Sequence, residues 1–437
     1  MHPTDKRLFG LAVPTLGALL AQPTFVLIDT AMVGHLGTPE LAGLAVASTI
    51  ITTLVGLLVF LAYATTAAVA RAVGAGDRPA ALRIGTDGLW FAAAIGVVAA
   101  ATVMALGPTL LGLLGAEGDV VRHGSHYLWA AAPGIIGMLL VYAATGTLRG
   151  LSRVHAVLVV AVGGAATNVV LNAIFIYGLG WGLAGSGAGT AIAETLMAVV
   201  LVAILHAEAR REGLGLAPTL AGFRRVGGSG WPLFVRTLSL RVSILVTVRA
   251  ATSLGIVNLS AHQIVIAIWF LMANALDAIA IAAQTLVGES LGARRHRETR
   301  ELLTRCVRWG TMSGAVLGLA LAALAPVLPW MFTGDADVRA AATAALWVAA
   351  AGTPIGGLVY VLDGVLIGAG DGRYLAWTGV VNLATYLPFV VAVGLLAPAT
   401  TTGLIVLWIS YCAAYMGSRA ATLGLRAAGT RWMVMGQ

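Results

Sequence analysis

The sequence predicts an all-α polytopic membrane protein of twelve transmembrane helices, built as two pseudo-symmetric six-helix lobes. Composition is the first observation: of 437 residues, 59% are hydrophobic and 10% charged, with a mean hydropathy of +0.93. A soluble domain carries about 25% charged residues, and no soluble core could hide this much apolar surface. The second is length: apolar runs of about 20 residues recur along the chain, each able to cross a hydrocarbon layer about 30 Å thick as a helix. The third is an internal repeat. Leu36-Gly37 and Leu41 match Leu254-Gly255 and Leu259 at an offset of 218, Gly74-Ala75 matches Gly292-Ala293, and Gly146, Leu148 and Gly150 match Gly364, Leu366 and Gly368 at the same offset.

The expected spans are 8–33, 42–70, 86–114, 126–148, 156–178 and 184–206, then 232–255, 261–287, 302–330, 339–365, 374–396 and 402–424. The first is too long for a signal peptide and is read as retained. Residues 1–206 form the first lobe and 232–437 the second. Between them, 207–231 reads as a cytoplasmic linker, with Arg210-Arg211, Pro218, Arg224-Arg225 and a Gly-Gly-Ser-Gly stretch. An even number of spans per half gives both halves one orientation, with an axis along the membrane normal.

The net charge of +8 reads as topology and not as nucleic-acid binding. With both termini cytoplasmic, nearly all arginines fall on inner segments, including the run from Arg294 to Arg308, while the outer loops hold only Arg122 and Arg339. Cys306 and Cys412 lack metal-ligand spacing and read as ordinary buried thiols. Gly74-Ala75-Gly76 and Gly368-Ala369-Gly370 lack a preceding strand and a lysine, so they are turns and not phosphate loops. No paired-carboxylate or His/Asp cluster supports an intramembrane enzyme, and no cofactor is expected.

A charged side chain inside a span costs at least about 2.5 kcal/mol on insertion scales, so each needs a reason. The acidic ones are Asp29, Glu194, Asp277 and Asp363; Arg236, Arg241 and Arg249 form a basic set in span seven. Asp277 and Asp363 are expected to pair with an arginine such as Arg241 or Arg249, or with backbone groups, Glu194 to behave similarly, and Arg236 to reach the inner interface. His35 reads as a surface residue. Asp29 lies about 6 Å inside the outer end of span one, at 1.5 Å per residue. Asn168 and Asn172, four apart, share a face of span five, and Thr190 sits at a similar depth in span six. One carboxylate with neutral oxygens suits either a proton-binding acid or a hard cation. The repeat puts Thr247 where the second half would carry the partner of Asp29, so coupling chemistry belongs to the first lobe.

These pieces resemble the multidrug and toxic compound extrusion (MATE) family, and within it the DinF-like bacterial branch. The resemblance spans the whole chain and rests on Asp29-Thr30-Ala31-Met32-Val33-Gly34-His35-Leu36-Gly37 after Pro14 and Pro23, and on Asn168 to Thr190 with Tyr177-Gly178-Leu179-Gly180-Trp181-Gly182. Ala261-His262-Gln263, Leu276-Asp277 and Leu362-Asp363-Gly364 add to it. It implies a bacterial inner-membrane, ion-coupled antiporter, a monomer exporting lipophilic, often cationic compounds among membrane lipids. It gives Asp29 the coupling role, with Asn168, Asn172 and Thr190 lining its pocket. Many relatives carry a second aspartate where this chain has Asn172; with one carboxylate, H+ is favoured over Na+, and sodium at Asp29 is the alternative. Pro23 offers a place for span one to bend as Asp29 loads a proton from outside. Phe25, Tyr63, Met138 and Tyr142 are candidates to line the substrate path. A lipid or lipid-linked oligosaccharide flippase of the same superfamily is the competing reading; it would call for a more cationic cavity.

Overall fold

The computed structural model describes residues 2–215 and 217–436. Helices α1 (Pro3–Gly34), α2 (Thr38–Leu57), α3 (Phe60–Gly74), α4 (Arg78–Leu113), α5 (Asp119–Ala131), α6 (Gly134–Gly150), α7 (Val154–Ala173) and α8 (Gly182–Arg211) occupy the first half. The second holds α9 (Leu220–Ser253), α10 (Ile256–Gly292), α11 (His296–Leu324), α12 (Ala336–Gly368), α13 (Gly372–Leu396), α14 (Thr401–Ile409) and α15 (Gly417–Ala428). Among the described residues, eleven helical stretches are long and apolar enough to cross a membrane, and α5 with α6, bent by 51° at their junction, makes a twelfth. Pro133 explains that bend, because it lacks the amide hydrogen that would continue the helix.

Two compact units emerge, Gly17–Gly230 and Trp231–Gly436, the latter joined by the chain up to Leu16. The expected linker is mostly helical: α8 runs to Arg211 and α9 begins at Leu220. Packing overrides the weak helix propensity of Gly227, Gly228 and Gly230. Phe223 meets Phe91 edge to face at 5.9 Å, Val226 is buried, and a methyl on Gly230 would lie 2.5 Å from Phe60. The irregular remainder is pinned, since Arg83 donates to the carbonyls of Gly215 and Ala217.

The repeat seen in the sequence recurs in the packing. Gly146 and Gly150 on α6 lie against the backbone carbonyls of Ala62 and Thr66 on α3. At the 218-residue offset, Gly364 and Gly368 on α12 lie against the carbonyls of Ala280 and Gln284 on α10. Helices in lipid gain from such close backbone approach, which only the smallest side chain permits. Gly364→Ala is therefore expected to cost about 1–3 kcal/mol through overpacking, read as a lower thermal midpoint of the purified protein. Unchanged stability would mean that the two helices separate without penalty.

The ion-pair staples also repeat, with the charges exchanged. Arg153 lies 2.5 Å from buried Glu208 in one unit, and 218 residues on, Asp371 accepts from Arg426 at 2.7 Å. Each pair ties the C-terminal end of a lobe's sixth span to the turn preceding its fifth. Cys306 and Cys412 are buried free thiols.

Candidate functional site

The site is assembled by the turn between α7 and α8. After Asn172 the helix widens to a π turn over Ile174–Gly178, and the chain reverses through Gly180 and Gly182, whose positive φ values of 68° and 56° suit glycine. Gly185 then presses on the backbone of Phe175, and Gly189 on the Asn172 side chain, so α7 and α8 pack closely at this depth. The glycine-rich run is thus a packing device. Tyr177 donates to the Met32 carbonyl at 2.6 Å and fixes the end of α1 over this turn.

Asp29, Asn168, Asn172 and Thr190 come together in the Gly17–Gly230 unit, all buried. Asn172 Nδ2 donates to Asp29 Oδ1 at 2.7 Å and to Asn168 Oδ1 at 3.3 Å, and Asn168 Nδ2 donates to Thr190 Oγ1 at 3.1 Å. Ser186, which the sequence reading passed over, donates to Asp29 Oδ1 at 2.7 Å. Its signal was available: Ser186 precedes Thr190 by one helical turn and so shares its face. Tyr127 on α5 is buried beside Thr190.

Asp29 makes no ion pair among the described residues, and its Oδ2 takes no hydrogen bond from them. Asn172 Oδ1, fully buried and without a hydrogen-bond partner, lies against Gly189 and leaves an unused acceptor in the cluster. Such an orphan carries a desolvation cost of about 1–3 kcal/mol and calls for an explanation. Ala18, Ala144, Leu148, Val157, Leu201 and Leu205 form a buried apolar core, with Ala18 about three turns before Asp29 on α1 and Leu201 about three turns after Thr190 on α8.

Other expectations fare differently. Asp363 pairs with arginines, namely Arg236 and Arg419, and Arg236 is buried against it, not extended to the interface. Helix rotation turns Arg236 inward, toward a carboxylate on α12. Thr247, at the repeat position of Asp29, bonds the Tyr386 hydroxyl at 2.8 Å, so the second unit carries a neutral pair there. His35 is exposed, its Nδ1 2.7 Å from the Ala31 carbonyl. Phe25, Tyr63, Met138 and Tyr142 lie half-buried on α1, α3 and α6. Groups of three or more metal-ligating side chains are absent among the described residues.

With this geometry in view, the comparisons are direct. The MatE family model matches residues 14–174 and 232–396. Protein DETOXIFICATION 44, chloroplastic, of Arabidopsis thaliana is 29% identical over 415 residues, 92% of this chain and 78% of that protein. DNA damage-inducible protein F of Escherichia coli is 25% identical over 376 residues, 84% of this chain and 81% of that one. A Vibrio cholerae MATE transporter, VcmN, in its bent form shares the fold with a TM-score of 0.86 at 22% identity, covering 97% of each chain.

Proposed function

The chain belongs to the multidrug and toxic compound extrusion family, in its DinF-like branch, and from that premise we propose that it exports lipophilic, often cationic compounds in exchange for protons taken up at Asp29. Membership makes it a multi-pass membrane transporter of a drug-exporting family. The coupling ion, the antiport mechanism and the substrate class are our reading, as is placement in the bacterial inner membrane with cytoplasmic termini.

The observation that carries proton coupling is the direction of the Asn172 amide. Its nitrogen, not its oxygen, faces the carboxylate, and with Ser186 it fills Asp29 Oδ1 with donors. A sodium ion needs several oxygens turned toward it. A proton needs only an acceptor, and Asp29 Oδ2 is free to receive one. The apolar core beneath the cluster supports loading from the outer side.

Loading would loosen α1. Hydrogen bonds to a charged acceptor contribute about 1.5–3 kcal/mol and neutral ones about 0.5–1.5. Neutralising Asp29 thus weakens the two bonds that tie α1 to α7 and α8. A change of about 1.4 kcal/mol is tenfold in an equilibrium, enough to bias an alternating-access cycle. Pro23, six residues before Asp29, leaves the Leu19 carbonyl without its helical donor and gives α1 a place to flex. Phe25, Tyr63, Met138 and Tyr142 are proposed to line the substrate path in a monomeric transporter that needs no cofactor. The flippase reading loses ground because Arg236 and Arg419 are engaged by Asp363 and not free for a pyrophosphate.

The test is transport of a fluorescent lipophilic cation in proteoliposomes under an imposed pH or sodium gradient. A pH gradient is expected to drive it and a sodium gradient to leave it unmoved; the reverse result overturns the proton reading. Asn172→Asp supplies a second carboxylate and is expected to add sodium-driven transport absent from the wild type. If that variant stays insensitive to sodium, the amide at 172 does not select the ion.

A further inference from the structure

The coupling network uses one carboxylate of the first unit's interior and leaves another without a role. Ser186, Thr190 and Glu194 follow one another at four-residue steps along α8, on one face, each about 6 Å further inward. The first two belong to the Asp29 network. Glu194 is twelve residues from the first residue of α8 and seventeen from its last, so it sits near the middle of the span. It is buried, and its carboxylate forms no ion pair and no hydrogen bond with any described residue. Its flank is closed by α6, where a methyl on Gly137 would lie 2.9 Å from the Glu194 carbonyl carbon.

No basic group offsets it. Of the elements packed on α8 at this level, α5 carries Tyr127, a neutral phenol buried beside Thr190. On α6 stand Tyr142 and, at the inner end, Arg149; α7 carries only His155, at its own inner end. Asp87 on α4 is engaged by Arg83, and α1 contributes Asp29, itself an acid. An acid placed at mid-depth with no charged partner is costly as an anion, and intramembrane carboxylates of this kind mark proton paths.

We propose that Glu194 is a second proton-binding site, which takes the proton from Asp29 by way of the Ser186 and Thr190 hydroxyls. The transfer balances: Asp29 gives up its O–H proton and returns to carboxylate, each hydroxyl accepts one proton and passes on its own, and Glu194 ends as the neutral acid. Steps longer than a hydrogen bond would pass the proton through an intervening water. The apolar core formed by Leu201 and Leu205, two turns and more further inward, halts the path there. Glu194 then holds the proton at mid-depth while Asp29 regains its charge and its grip on α1. The inference rests on the proton reading above.

The experiment is infrared difference spectroscopy of the full chain in lipid nanodiscs across a pH titration, read at the carbonyl stretch of protonated carboxyl groups, for wild type, Asp29→Asn, Glu194→Gln and Glu194→Asp. One band is expected to vanish only in Glu194→Gln, to persist in Asp29→Asn, and to return shifted in Glu194→Asp. In proteoliposomes Glu194→Gln is expected to slow pH-driven transport roughly 100-fold, the low end for a positioned proton-transfer group, with substrate binding unchanged and partial recovery in Glu194→Asp. Spectra identical between wild type and Glu194→Gln at every pH, or transport at the wild-type rate in that variant, overturn the proposal. Absence of pH-driven transport in the wild type sinks the functional reading instead, and the infrared comparison still decides whether Glu194 binds a proton.

Discussion

Asp29→Asn is expected to reduce pH-driven export to the level of protein-free vesicles while leaving the fold intact. Asparagine matches aspartate in size and keeps one oxygen for the Asn172 and Ser186 donors, so packing around α1 survives. What it loses is a titratable oxygen. With no proton to bind, the contrast between charge-assisted and neutral hydrogen bonds disappears, and the gradient has nothing at this site to act on. Equilibrium binding of the transported cation, measured by fluorescence, should persist, and the thermal midpoint should shift by no more than a few degrees, as for a change below about 1 kcal/mol in a large chain. Transport by this variant at even a tenth of the wild-type rate, roughly 1.4 kcal/mol from complete retention, would move the coupling role elsewhere.

Asp363→Ala is expected to give the largest loss of stability of any single substitution considered. Its carboxylate lies between the guanidinium groups of Arg236 and Arg419, and all three are buried. Removing the shared anion leaves two cations in a low-dielectric interior, and breaking a buried pair costs about 3–5 kcal/mol. Thermal unfolding in detergent should show the loss. Replacing all three together, Asp363→Leu with Arg236→Met and Arg419→Met, should recover most of it, since a buried ionic group exchanged for apolar side chains of similar volume is often neutral in stability. If the single variant is as stable as the wild type, the two arginines find other partners, and the network is not what holds α9, α12 and α15 together. If the triple variant is stable but inactive, the ionic group serves transport rather than folding.

Much of this protein was determined by its sequence alone. The spans follow from run length and composition, because the bilayer demands about 20 apolar residues and internal hydrogen bonding from every segment that crosses it. The repeat was legible in a few glycines and leucines, since close backbone contacts tolerate only small residues, and those same glycines return as the contact points of α6 and α12. Asp29, Asn168, Asn172 and Thr190 could be grouped by residue counting, because depth along a straight helix is proportional to position.

Rotation about the helix axis is what counting leaves open, and there the tertiary structure decided. It placed Ser186 on Asp29 and turned Arg236 and Arg419 toward Asp363. It left Glu194 without a counter-ion, whereas local reasoning had expected a partner. It carried the polar connection into α9, where Phe91 and Phe60 supply contacts that no glycine could supply by itself. It also grouped the chain up to Leu16 with the Trp231–Gly436 unit. Periodicity and composition act within a few turns of a helix, but the partner of a buried charge is chosen by which helix lies opposite and how it is turned, a choice made by the packing of the whole lobe.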